Sequence, residues 1–326
     1  MDEFGLIAKY LKPLAKAPGA FGLADDAATV AVPPGNELVI TKDAILAGVH
    51  FLETDPLDLV AKKLMRVNIS DLAAKGARPL GYLLACCWPK STKEADVAAF
   101  ARGLAEDQSV FELNLLGGDT TPTPGPLTLS MTALGLVPRG QMVHRAGARA
   151  GDRIFVTGTI GDAGLGLKVA QGEKTGISEA DSKFLLGRYR LPEPRLEFGL
   201  AARTSMLASI DVSDGLIMDA GHIAETSGVG IRIEAAKLPL SSAAASWIKG
   251  GGAPLFLATC GDDYEICFTA PAGSAPKLME IAEKTKTKLT EIGEVIPGAG
   301  VQFIGRDGRE IAVPKLEPTY FRAGPF

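Results

Sequence analysis

The chain has 326 residues, of which 46% are hydrophobic and 22% charged, with 38 acidic residues against 34 lysines and arginines. That composition is globular and supplies enough apolar residues for the core of one large or two ordinary domains. A net charge of −4 lacks the basic excess that phosphate-backbone contacts require, which argues against a nucleic-acid partner, and no apolar run is long enough to span a membrane.

The N-terminus, MDEFGLIAKY, is acidic where a secretory signal is basic, so a soluble cytoplasmic protein is expected. Strands are expected at ELVITKDA (37–44), GYLLACCW (81–88), LNLLGG (113–118) and LTLSMTALGLV (127–137). Helical spacing marks 56–77 and 94–111. The Gly-, Ala- and Arg-rich segment 139–153 has little apolar periodicity and reads as a domain boundary, giving domains 1–147 and 148–326. Beyond it, strands are expected at 153–158, 231–236, 264–270 and 301–305, and helices at 162–171, 179–188, 193–206, 215–226 and 274–285. Strands and helices do not alternate strictly in the first half, which favours an α+β layer arrangement over a doubly wound sheet. Cys86, Cys87, Cys260 and Cys267 have no C-x-x-C spacing and read as small buried thiols.

Six segments place aspartates among small residues, often just after an apolar run: LADDAA (Asp25, Asp26), VITKDA (Asp43), VNISD (Asp71), LLGGDTT (Asp119), IDVSDG (Asp211, Asp214) and CGDDYE (Asp262, Asp263). Taken singly, each is a turn residue or a helix cap. Gathered in one site they would repel one another unless cations neutralised them. Oxygen ligands, with His50, His144 and His222 far apart, suit magnesium over zinc, and magnesium shares its coordination with substrate phosphates. Neither a P-loop nor a complete G-x-G-x-x-G is present. GTIGDAGLGLK (158–168) is open to two readings, a turn approaching phosphate or a purely structural turn. Arg145 and Arg149 are either phosphate-forking arginines or a solvated basic linker, and His50 is either a cleft residue or a core histidine.

Taken in order, ADDAA, TKDAILAGVHF, KKLMRVNISDLAAKGARP, GGDTT, HRAGARAGD, VTGTIGDAGLGL, RLPEPR, IDVSDGLIMDAGHIAETSGVG and CGDDYEICF resemble the signature blocks of bacterial thiamine-monophosphate kinases. Singly, the blocks are shared with the wider aminoimidazole ribonucleotide synthetase-like superfamily. The resemblance implies a two-domain ATP-binding fold of mixed α and β structure. Its N-terminal domains pair in a homodimer to build a β-barrel, its C-terminal domain is an α/β sandwich, and ATP lies in a cleft lined by both domains. It places Asp26, Thr41, Asp43, Asp71, Asp119, Asp211 and Asp214 on positions that bind several magnesium ions. It places Gly118, Asp119, Arg145 and Ser213 on ATP, and His50, Asp262 and Tyr320 on thiamine phosphate, with Phe321 the other aromatic near the C-terminus. Four positions depart from the pattern: Ala24 for a glycine, Lys42 for a Ser or Thr, Cys260 for a glycine and Asp262 for a glutamate.

The implied reaction moves the γ-phosphoryl of ATP to thiamine monophosphate, with Asp71 and Asp211 the most critical carboxylates. Asp211 and Asp214 straddle a strand-to-helix exit whose N-terminal amides are expected to help hold magnesium-bound phosphate. The alternatives are an aminoimidazole ribonucleotide synthetase-like ligase, whose motif VNISDLAAKGA also fits, and a non-catalytic nucleotide-binding module.

Overall fold

The computed structural model describes residues 3–313. The described residues fold as two compact units, divided so that residues 73–76 and those from 141 onward form the second and the rest form the first. No helix among the described residues is long and apolar enough to cross a membrane.

The first unit begins with a short helix α1 (Glu3–Leu6) and a series of tight helical turns reaching Leu23. Its sheet contains β1 (Asn36–Leu46), β2 (Arg78–Pro89), β3 (Leu115–Thr123) and β4 (Thr128–Pro138) in the order β1-β4-β2-β3. The β1–β4 and β4–β2 pairs are antiparallel and β2–β3 is parallel. Two long helices, α2 (Leu57–Ala74) and α3 (Glu94–Val110), cover one face. Val60, Leu64, Met65 and Leu72 recur at helical spacing on α2 and are buried, while Tyr82, Leu84, Cys86 and Trp88 alternate along β2 and are buried. Trp88 packs edge-on against Phe100 of α3 at 5.4 Å, and Tyr82 donates to Gln108 of α3 at 2.8 Å. The opposite face leaves Ile40 61% and Leu83 42% exposed. At one end of that face, residues 15–30 pack Ala15, Ala20, Leu23 and Val30 against Leu38, Leu116 and Leu134.

The second unit is built on a six-stranded sheet of β5 (Arg153–Thr157), β6 (Ala208–Asp211), β7 (Gly230–Glu234), β8 (Ile266–Ala270), β9 (Leu289–Ile296) and β10 (Gly300–Ile304). Their order is β10-β7-β9-β5-β8-β6, antiparallel except for β10–β7. The helices are α4 (Asp162–Ala170), α5 (Glu179–Arg190), α6 (Leu196–Ala202), α7 (Leu216–Ser227), α8 (Ser242–Lys249), α9 (Pro254–Thr259) and α10 (Ala275–Lys284). Ile210, Val212, Ile217, Ile223, Ile231 and Phe303 belong to one buried cluster in which α7 lies against the sheet, and Phe155, Phe198 and Phe268 form another.

The mixed α and β architecture follows the expected one, with three local differences. The strand expected at 113–118 starts at Leu115 and continues to Thr123. The helix expected over 193–206 shortens to α6, because Pro194 precedes it and Arg203–Ser205 tighten into a separate turn. β9, α8 and α9 were not anticipated. The polar residues of β9 hide its strand character: Glu294 receives hydrogen bonds from Arg153 at 3.1 Å and Arg232 at 2.9 Å on the two neighbouring strands. All four cysteines are unbridged; Cys86 and Cys267 are buried, whereas Cys87 and Cys260 are half-buried.

Candidate active site

Alternation along β1 decides which groups act together. Thr41 and Asp43 share a face with buried Val39 and Ile45, and Lys42 points to the opposite, exposed face. The lysine at this departure therefore does not compete with its neighbours for a ligand on their face. Thr41 Oγ1 donates a short hydrogen bond to Asp71 Oδ2 on α2, joining two of the anticipated residues. His50 closes the turn after β1: its Nδ1 accepts from the Leu46 amide at 3.2 Å, and its carbonyl accepts from Lys63 at 2.9 Å. That geometry leaves the proton on Nε2.

Asp26, Gly118 and Asp119 line one cavity of about 550 Å³ within the first unit, together with Asp25 and the leucines at 23, 83 and 84. Asp119, in the middle of β3, accepts from the amide of its neighbour Thr120 at 2.9 Å. A side chain at Gly118 has no room, since a Cβ there would meet the Leu84 carbonyl oxygen at 1.8 Å. This close approach of β3 to β2 brings backbone to the cavity wall.

In the second unit, β6 ends at Asp211, and residues 212–215 turn into α7. Asp211 is buried and Asp214 half-buried. Asp219, on the first turn of α7, was not anticipated. Its Oδ2 accepts from the amides of both Asp214 and Gly215 at 3.1 Å. Burial pushes the Asp219 carboxyl well above the usual aspartate range, and the nearby charges of Asp211 and Asp214 add to the rise. Ligand atoms of Asp214, Asp219 and His222 lie within 4.8 Å of one another. The i,i+3 spacing of Asp219 and His222 on a helix beginning just after a Ser-Asp-Gly turn was the signal available in the sequence. Ser213 is held by its carbonyl, which accepts from the Asp262 amide at 2.8 Å. Arg145 is exposed, one residue after His144, whose carbonyl accepts from the Ser209 amide of β6 at 2.8 Å.

The CGDDYE segment divides into two roles. Asp262 sits at φ 70° and is half-buried, while its neighbour Asp263 is fully buried. Asp263 accepts from the Gly161 and Ala163 amides at 2.6 and 3.1 Å. Burial pushes Asp263 well above its ordinary value despite these two bonds. The glycine-rich turn at 158–168 thus has a structural partner: two of the amides at the start of α4 that a phosphate would use are taken by this carboxylate. Before α7, Asp219 likewise takes the amides of Asp214 and Gly215. Buried Glu265 accepts from Arg188 at 2.9 Å, from Arg195 at 2.7 and 2.6 Å, and from Thr157 at 2.8 Å. That set binds the RLPEPR segment to the sheet and has the character of a framework. Tyr320 and Phe321 lie outside the described residues.

The donors gathered in each unit are carboxylates and a hydroxyl, with His222 the one nitrogen, a set that fits a hard divalent cation. Such side chains suit anion chemistry assisted by cations.

Two family models match the chain: the N-terminal domain of AIR synthase related protein over residues 24–137, and its C-terminal domain over residues 149–306. The thiamine-monophosphate kinase of Caulobacter vibrioides is 47% identical over 94% of this chain and 88% of its own length. The crystal structure of thiamine-monophosphate kinase from Stenotrophomonas maltophilia superposes with a TM-score of 0.84 at 38% identity, covering 95% of this chain and 98% of the other. A structure of AaThiL complexed with AMPPCP and TMP gives a TM-score of 0.75 at 32% identity, covering 95% and 94%.

Proposed function

We infer that this chain, which belongs to the thiamine-monophosphate kinase family, transfers the γ-phosphoryl group of ATP to thiamine monophosphate, giving thiamine diphosphate and ADP. A phosphate monoester has a second pKa near ~6, so the attacking oxygen is already anionic at neutral pH and no strong general base is required. The obstacle is the approach of two anions. Magnesium supplies charge neutralisation and alignment for in-line displacement when bound. Residues Asp26, Thr41, Asp43, Asp71 and Asp119 of the first unit, and Asp211 and Asp214 of the second, would hold it. Gly118, Asp119, Arg145 and Ser213 are assigned to ATP, and His50 and Asp262 to thiamine phosphate. His50 presents an Nε2–H donor, and Arg145 is exposed and carries a permanent charge, so both suit an anionic ligand.

The domain assignment goes with these roles, 1–147 for ATP, magnesium and dimerisation and 148–326 for the remaining ligand contacts. The exposed sheet face bearing Ile40 and Leu83 is the surface through which two copies pair, and the setting is the cytoplasm. The observation that carries the reading is the oxygen-only character of the anticipated metal set, with Thr41 already bonded to Asp71. Incubation with magnesium, ATP and either thiamine monophosphate or formylglycinamidine ribonucleotide, followed by chromatography, is the test. Equal yields of thiamine diphosphate and ADP are expected; a product from the second substrate alone would make the chain a ligase, and no product from either would make it a binding module.

A further inference from the structure

We propose that Asp219 is a positioning residue for phosphoryl transfer. By holding the amides of Asp214 and Gly215, it sets the turn carrying Asp211 and Asp214 and prevents those amides from acting as an anion hole, so the turn accepts phosphate only with a divalent cation. The proposal rests on the kinase reading.

A strand-to-helix turn normally leaves its first amides open to solvent or to a bound anion. Here both are closed from inside by one buried carboxylate, only 1% exposed, whose own amide donates to the Gly215 carbonyl at 3.0 Å. The outer side of the turn is fixed as well. Gly215 has φ 113°, and a Cβ there would meet the Thr259 carbonyl oxygen at 2.7 Å, while the Asp262 amide donates to the Ser213 carbonyl at 2.8 Å. Asp214 is thereby held in one place relative to Asp219 and His222.

The test is Asp219→Ala, which removes the one oxygen that accepts from both amides. The magnesium concentration for half-maximal rate is expected to rise about 10–100-fold, with kcat falling and the KM for thiamine monophosphate little changed. A direct effect of the freed amides is also expected, detectable binding of inorganic pyrophosphate in the absence of magnesium. A folded variant with unchanged magnesium dependence would overturn the proposal. If the variant does not fold, amide exchange on the unmodified protein decides. The Asp214 and Gly215 amides should be protected in the ligand-free state and unmoved by pyrophosphate without magnesium; rapid exchange, or a pyrophosphate-induced shift without magnesium, refutes it. These exchange measurements do not use turnover, so inactivity of the unmodified protein would remove the kinase reading and leave the account of the turn to be judged separately.

Discussion

Replacing Glu265 with glutamine separates a framework acid from a functional one. Glu265 is completely buried and accepts four hydrogen bonds, three from guanidinium nitrogens of Arg188 and Arg195 and one from Thr157. The Arg188 and Arg195 side chains are themselves only 8% and 18% exposed, so solvent screens these pairs weakly. Glutamine retains one acceptor oxygen but turns an amide N–H₂ toward a guanidinium and leaves buried Arg188 and half-buried Arg195 with exposed Glu193 as their shared anion. Breaking a buried pair in this way costs about 3–5 kcal/mol. For a unit of this size each kcal/mol corresponds to roughly 2–4 °C, so the melting transition of the second unit should fall by roughly 6–20 °C. Differential scanning calorimetry, with the two units followed as separate transitions, measures the shift. A fall of less than about 2 °C would refute the framework role, since that is the scale of a surface substitution.

The opposite pattern is expected for Asp71→Asn and Asp211→Asn: turnover should drop at least about 100-fold, as for other losses of transition-state charge stabilisation, with the melting temperature nearly unchanged, and EDTA should abolish activity in the unmodified protein. Gly118→Ala forces a methyl to within 1.8 Å of the Leu84 carbonyl, so β3 must shift and stability should fall by about 1–3 kcal/mol in urea unfolding, with a raised KM for ATP. Asp263 has a folded-state pKa above 3.8, so the native form holds its proton to higher pH than the unfolded form, and stability falls as pH rises from the ordinary aspartate range through the folded value. In metal-free buffer, Asp263→Asn should therefore flatten that decline, although it also loosens one amide bond to α4 and lowers stability on the acid side. Light scattering should report a dimer, and Ile40→Asp, which places a charge on the 61%-exposed residue of the open sheet face, should shift it to monomer.

Residues whose chemistry is local were legible in the sequence. Asp71 and Asp211 stand out because a carboxylate follows an apolar run, and the helical spacing of α2 and the wholly buried β6 place those runs in the core. Asp219 was legible only through its i,i+3 spacing to His222; its role at the turn was not, since a helical aspartate five residues after Asp214 looks like an ordinary first-turn acid until the turn folds back and directs two amides onto it. Asp263 was seen beside Asp262 but given no role of its own. Its partners Gly161 and Ala163 lie about a hundred residues earlier, and only the completed fold reveals which of the adjacent acids turns inward. Glu294 hid a strand for the same reason, because its arginine partners come from strands remote in sequence.

These two inward aspartates bear on how the chain handles phosphate without a P-loop. In nucleotide-binding turns the anion takes the place of a missing acceptor at a helix N-terminus. In the second unit, α4 and α7 both begin after glycine-containing turns, and each already has its acceptor, Asp263 for one and Asp219 for the other. A phosphate arriving there meets carboxylates where a P-loop would present bare amides, so its attraction must come from positive charge, a bound divalent cation or Arg145. On the proposed assignment the abundance of aspartate, paradoxical for an enzyme whose substrates are polyanions, has a division of labour: Asp263 and Asp219 take amides at the two turns, and Asp211 and Asp214 would recruit the cations that reverse the sign of the local field.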